Sequence, residues 1–343
     1  MQDVVDLAVV AGWMDARGFP PGPVRDAELL GGGTQNILIR FRKGDEVFVL
    51  RRPPVHLRKA SNDAIRREAR VLAALEGTPV PAPRVLAACP DETTIGAVFY
   101  IMSYVDGVNP SVELPAYADD AGNRYSMGLA AADALATLGA VDHVAVGLGD
   151  VGHPEGFLER QVGRWLSELD SYRGLAGYPG PDIRNLAEVS AWLEANRPVS
   201  FQPGIMHGDY HLANLLYSND EPRVAAIVDW EMCTIGDPLV DLGWLMATWP
   251  SAGPEDRADT SGALGRKGNL PTPAELVQRY AERSTRDLSA ISWYAVLACF
   301  KLGIVLEGTY ARACAGLAGK AVGDRLHAMC AALFGRAGQF MGT

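Results

Sequence analysis

The chain has 343 residues, 48% hydrophobic and 21% charged, enough for two domains or one large bilobed unit with a substantial core, and the composition excludes a disordered or fibrous protein. Its formal charge of −10 argues against a nucleic-acid or anionic-membrane partner held by bulk electrostatics. The charge is uneven: residues 1–104 carry a net +1 and residues 105–343 a net −11.

The N-terminal Met1-Gln2-Asp3 lacks the basic start and apolar run of a signal peptide. The five cysteines are odd in number, far apart and free of any CxxC pair, so reduced, packed thiols in a cytoplasmic protein are expected. Residues 28–52 alternate as strands do and predict a hairpin about Lys43-Gly44-Asp45, preceded by the run Gly31-Gly32-Gly33. Ser61 is read as the N-cap of a helix over 61–76, which Gly77-Thr78-Pro79 stops. A strand pair is expected at 85–88 and 98–104. After Gly107 the pattern predicts helices at 123–139, 155–170, 182–196, 273–283 and 288–312, with a small β element, 215–217 and 224–228, among them. Residues 250–273, rich in Pro, Gly, Ser and charge, read as a surface loop. The most apolar stretch, 291–306, is interrupted by Lys301 and falls short of the ~20 residues of a bilayer span, so a buried helix is predicted. Segregation of strands from helices predicts an α+β fold in two lobes, 1–104 and 105–343.

The densest polar cluster is His207-Gly208-Asp209-Tyr210-His211-Leu212-Ala213-Asn214, followed downstream by Asp229-Trp230-Glu231. If 215–217 and 224–228 pair about Asn219-Asp220-Glu221-Pro222, Asn214 and Asp229 fall at one end of a ladder whose strands are ~4.8 Å apart. An amide oxygen and a carboxylate there suit Mg²⁺, with Asp209 in reach as a base. His207 is expected to brace this loop, since Gly208 breaks the helical spacing of zinc ligands, and Asp237 and Asp241 to cap and brace the helix that follows. Glu231 has two readings, a cationic ligand or a backbone amide.

Ile65, Glu68, Leu72 and Leu75 share one helical stripe, which places an acid on an apolar face in need of a cation. Arg51, at the end of the preceding strand, is the natural partner, and Arg52 is the register alternative. The run Gly31-Gly32-Gly33-Thr34 offers backbone N–H groups that no Cβ shields from a phosphate, although a plain hairpin turn would look the same. Gly147-Leu148-Gly149-Asp150-Val151-Gly152 fits GxGxxG, but its helical flanks and the following His153-Pro154 do not make a βαβ unit, so no dinucleotide site is expected.

Asp209 to Asn214 with the spacing Asp-x-x-x-x-Asn, and Asp229 beyond the hairpin, resemble the protein-kinase-like superfamily, and within it the aminoglycoside phosphotransferase and choline kinase group. That resemblance implies a two-lobed protein-kinase-like fold, β-rich then helical, that moves the γ-phosphoryl group of ATP to a hydroxyl of a small molecule with Mg²⁺. Asp209 and Asn214 would be catalytic, Asp209 orienting and deprotonating the hydroxyl, and Asn214 and Asp229 would hold the metal. Arg51 and Glu68 correspond to a strand–helix ion pair in which the family usually has Lys, while Gly32, Gly33 and Thr34 would cover the phosphates and Met102 and Tyr104 flank the adenine. Segments 49–54, 156–165 and 229–242 look like the branch also found fused to acyl-CoA dehydrogenases, a resemblance running from about residue 28 to 310. It implies a hydroxyl acceptor that need not be an antibiotic, a hydroxyacyl metabolite among them. Gly139 stands where the group commonly has His. The expected partner is a small-molecule substrate, with no nucleic acid and no membrane. A kinase-like nucleotide-binding regulatory module without transferase activity is the alternative.

Overall fold

The computed structural model describes residues 4–31, 36–57, 60–250 and 262–342. The chain divides into two compact units, Met1–Gly107 with Ala225–Cys233, and Val108–Val224 with Thr234–Thr343. Gly32, Gly33 and Thr34 lie outside the described residues, as do 251–261 of the expected loop.

The first unit is built on a five-stranded antiparallel sheet, β1 (Arg25–Leu29), β2 (Ile37–Lys43), β3 (Glu46–Arg52), β4 (Val85–Cys89) and β5 (Phe99–Ser103), in the order β1-β2-β3-β5-β4. Gly44, at φ +61, makes the predicted β2–β3 turn. One sheet face carries Ile39, Phe41, Phe48, Leu50, Phe99 and Ile101 against Val10 and Met14 of α1 (Leu7–Asp15). That helix escaped the sequence reading, although Asp6 caps it by accepting the N–H groups of Ala8 and Val9. The other face carries Arg51 and its β5 neighbour Tyr100. Helix α2 (Ser61–Leu75) buries Ile65, Glu68, Leu72 and Leu75 as its stripe predicts. Ser61 is not its cap: Ala60 occupies the cap position, and Ser61 already lies inside the first turn.

The second unit is mostly helical: α3 (Ala121–Gly139), α4 (Glu159–Ser171), α5 (Leu186–Ala195), α6 (Leu239–Thr248), α7 (Gly262–Lys267), α8 (Pro273–Ala281), α9 (Ile291–Cys314) and α10 (Lys320–Met341). Short strands β6 (Gly204–Met206) and β9 (Thr234–Gly236) pair, and β7 (Leu215–Tyr217) also belongs to this unit, while β8 (Val224–Ile227) carries the chain at Ala225 back into the first. The turn between β7 and β8 closes through Ser218 N–H to the Arg223 carbonyl, 2.9 Å. Helices α4 and α5 start four residues later than expected because Gly156 (φ +62) and Asn185 (φ +66) hold left-handed backbone. Residues 262–267 of the expected loop form α7, and α10 was not foreseen, its periodicity diluted by Gly323, Gly335 and Gly338. The GxGxxG run lies in turns and bends, and the next helix after it begins only at Glu159.

Helix α9, at 24 residues, extends beyond the apolar stretch read from sequence and meets the length and composition of a bilayer span, yet 67% of its most apolar window is buried inside the protein. It comes close to α6 at Gly243, where a Cβ would stand 2.4 Å from the Tyr294 backbone and 2.9 Å from Ala295 N. The Gly243→Ala variant must push the two helices apart, with an expected loss of about 1–3 kcal/mol, read as a lower unfolding midpoint in urea.

Candidate active site

In the first unit, three carboxylates surround one guanidinium. Arg51 is buried; its Nε lies 2.8 Å from Glu68 Oε2, and its Nη2 lies 2.7 Å from Asp229 Oδ1 and 3.8 Å from Glu231 Oε2. Strand parity chooses Arg51: the adjacent Arg52 points to the α1 side, where Nη1 donates to the Val4 carbonyl at 2.7 Å. Burial works against the Arg51 charge, but Glu68, Tyr100 and Asp229 outweigh it and hold the guanidinium above its usual range. Burial pushes Glu68 up to about 7 against the pull of Arg51, and the charges of Asp229 and Glu231 add to the rise. One cation shared among three acids explains both directions: the cation gains from all of them, while the most buried acid suffers from its like-charged neighbours.

Glu68 Oε1 also accepts the Trp230 N–H at 3.1 Å, which fixes the backbone beside Asp229. Asp229 itself sits at φ +67 and ψ +66, a left-handed conformation uncommon for a non-glycine residue, with its side chain 41% exposed. Glu231 accepts from Asn36 Nδ2 at 2.7 Å, so a side-chain amide takes the carboxylate for which sequence offered a cation or a backbone amide. Met102 is buried on β5 opposite Val49, and Tyr104, just past that strand, stacks under the Arg40 guanidinium at 4.9 Å.

In the second unit, the segment after β6 is pinned from several elements. Asp241, fully buried on α6, accepts the N–H groups of His207 (2.6 Å) and Gly208 (2.8 Å). The Tyr210 hydroxyl donates to the Ala131 carbonyl of α3 at 2.7 Å. His207 braces the loop as expected, its Nδ1 accepting the Asp209 N–H at 3.3 Å. Asn214 Nδ2 donates to the Asp209 carbonyl (2.8 Å) and to its Oδ2 (3.1 Å), which turns the amide oxygen away from Asp209. Burial opposes ionisation of Asp209, but the hydrogen bond and charge of His211, with His207 and Lys301, bring it down to about 2. A carboxylate so acidic is a weak proton sink and a good orienting acceptor.

Two features here lay beyond sequence reasoning. Asp241 does not brace its own helix; its carboxylate holds the loop 33 and 34 residues upstream, while Asp237, one residue before the Pro238 cap position of α6, accepts the Leu239 N–H at 3.0 Å and the Tyr294 hydroxyl. Lys301, read as an interruption of an apolar helix, reaches the Gly208 carbonyl at 3.1 Å. Gly139 has a packing role: its Cβ would stand 2.9 Å from the Tyr280 hydroxyl, so a larger residue needs Tyr280 to shift.

Burial pushes the Asp241 carboxyl up to about 7, against the pull of the Gly208 and His207 N–H groups and of Lys301. An acid held above its unfolded value of about 3.9 favours the folded state while protonated, so its contribution is complete below about pH 4 and is lost as the pH rises through about 7. Urea unfolding across this range should show wild type losing stability relative to Asp241→Asn as pH rises, with parallel curves above about pH 8.

Residues 26–277 match the phosphotransferase enzyme family. Acyl-CoA dehydrogenase family member 10 of Mus musculus is 29% identical over 299 residues, which are 85% of this chain and 27% of that protein. The chain spans between 27% and 38% of the length of the curated relatives it matches. A crystal structure of a Ralstonia eutropha protein assigned as an aminoglycoside phosphotransferase aligns with a TM-score of 0.78 at 29% identity, over 98% of this chain and 99% of that one. A thermostable mutant of aminoglycoside phosphotransferase APH(4)-Ia, in ternary complex with ADP and hygromycin B, shares the fold at a TM-score of 0.58 and 16% identity, over 94% and 97% of the two chains. With an Asp-x-x-x-x-Asn loop clamped from α6 and a strand arginine paired to a helix glutamate, the chain belongs to the phosphotransferase enzyme family and has its protein-kinase-like fold.

Proposed function

We propose that the protein transfers the γ-phosphoryl group of ATP, with Mg²⁺, to a hydroxyl group of a small molecule. The observation that carries this reading is the Asp209–Asn214 pair: an ionised carboxylate held by its neighbours, beside an amide whose nitrogen is committed and whose oxygen is turned away from Asp209. The Asn214 amide oxygen and the half-exposed Asp229 carboxylate are hard donors of the kind Mg²⁺ takes beside phosphate and water, and both are assigned to the ion on family resemblance. The metal, when bound, neutralises phosphate charge during transfer.

The remaining work falls to the chain. Asp209 accepts a hydrogen bond from the substrate hydroxyl, aligns it for in-line attack and takes its proton late, as its low pKa dictates. Glu68 and Arg51 hold Asp229 in its left-handed conformation, and Arg51 offers the planar fork that suits phosphate oxygens. Gly32, Gly33 and Thr34 are assigned to the phosphates, and Met102 and Tyr104 to the adenine, on family resemblance. The complex of APH(4)-Ia with ADP and hygromycin B supports a nucleotide with a small-molecule acceptor.

The test is a panel of aminoglycosides, choline-like amino alcohols, free hydroxy acids and hydroxyacyl thioesters, incubated with Mg·ATP and scored by mass spectrometry for a phosphorylated product. One class gaining phosphate with wild type and not with Asp209→Asn supports transfer. Mg²⁺-dependent ATP binding with no product from any class would favour the nucleotide-binding regulatory module instead.

A further inference from the structure

Lys301 projects from α9 to a place that no local pattern explains. Its ammonium lies 4.3 Å from the ring centroid of Trp244 and 5.6 Å from that of Trp165, two buried indoles, and it donates to the Gly208 carbonyl. The carbonyl belongs to the peptide joining Gly208 to Asp209. The N–H of that same peptide is the one bonded to His207 Nδ1. The peptide is thus held at both ends, while Asp241 holds the two N–H groups before it.

These anchors matter because Gly208 adopts φ +87, and a glycine there has the broadest backbone freedom in the loop. Rotation of the Gly208–Asp209 peptide would swing the Asp209 side chain without disturbing the helices. The charged groups facing Lys301 are Asp241 from α6, Asp209 from the loop and Arg164 from α4, so the ammonium also sits as the cation between two acids.

We propose that Lys301 is a positioning residue for phosphoryl transfer, fixing the Gly208–Asp209 peptide and with it the direction of the Asp209 carboxylate. The turnover part of this proposal rests on the phosphotransferase reading; the anchoring part does not.

The test compares full-length wild type, Lys301→Met, which keeps the length and loses charge and donor, and Lys301→Arg, which keeps both. The activity probe is Mg·ATP with water as acceptor, followed as ADP release, with kcat and KM for ATP separated. Amide hydrogen exchange is read in parallel. Lys301→Met should lower kcat about tenfold to hundredfold with KM within about threefold, as expected of a misaimed catalytic group. Exchange of the amides of residues 207–210 should quicken about tenfold while the β2–β3 amides are unchanged, and Lys301→Arg should recover part of both effects. Unchanged exchange at 207–210 in Lys301→Met overturns the proposal. So does a uniform loss of protection across the second unit with kcat and KM moving together, which marks a merely structural residue. If wild type releases no ADP to water and phosphorylates no class of the acceptor panel, the phosphotransferase reading falls, and exchange at 207–210 alone decides whether Lys301 anchors the peptide.

Discussion

Asp209→Asn is expected to reduce kcat by about 10²- to 10⁴-fold, the contribution typical of a positioned general base, while nucleotide affinity changes by no more than a few-fold. The argument comes from how the residue is held. Its carbonyl and carboxylate both accept from Asn214, and His211 Nε2 stands 3.3 Å from Oδ2. An amide in its place offers one acceptor and presents two donors to groups that are themselves donors, so the carboxamide must rotate and the substrate hydroxyl loses its acceptor. None of these partners is engaged in the Arg51 cluster, so binding of nucleotide and loss of turnover should separate. Calorimetric titration with Mg·ATP beside steady-state kinetics checks both; wild-type turnover in the variant would remove Asp209 from the mechanism.

The second large effect is on stability. Arg51→Met leaves Glu68, 2% exposed, without its cation, and breaking a buried pair on one side typically costs about 3–5 kcal/mol. Asp229 loses its partner too, and the left-handed backbone there relies on Glu68 and Arg51 together. Glu68→Gln in the same background removes the orphaned charge, keeps an acceptor for the Trp230 N–H, and should return a substantial part of the loss. Urea unfolding of the four members of this cycle measures the coupling; additive effects would mean that the pair contributes nothing as a pair.

Much of this was legible because it is written locally. The β2–β3 hairpin follows from alternation about Gly44, and the buried position of Glu68 follows from a four-residue stripe. Arg51 was also read as the natural partner of Glu68, as the structure has it, with Arg52 kept as the register alternative because alternation shows only that the two face opposite ways. That α1 was itself missed is why the second face had no visible partner. The clamp on the Asp209 loop was hidden for a different reason. Asp241 and Lys301 lie 33 and 93 residues from Gly208, and a carboxylate at the start of a helix looks like a capping group whatever it bonds. Helix α10 was lost to its glycines, whose missing side chains erase the apolar periodicity; one of them, Gly323, also allows close approach, since a Cβ there would stand 2.4 Å from that of Ala313 on α9.

Residues Ala225–Cys233 return to the first unit long after the chain has left it. This excursion carries Asp229, the N–H of Trp230 that satisfies Glu68, and the Ile227 N–H that bonds the Pro81 carbonyl at 2.8 Å. The first unit is therefore not a contiguous cassette. An exchange of residues 1–107 between relatives transplants Arg51 and Glu68 without the acid and the amide they were fitted to, so chimeras should be joined at three points rather than one, and a fragment cut after Gly107 should be recovered only when the 225–233 segment is supplied with it.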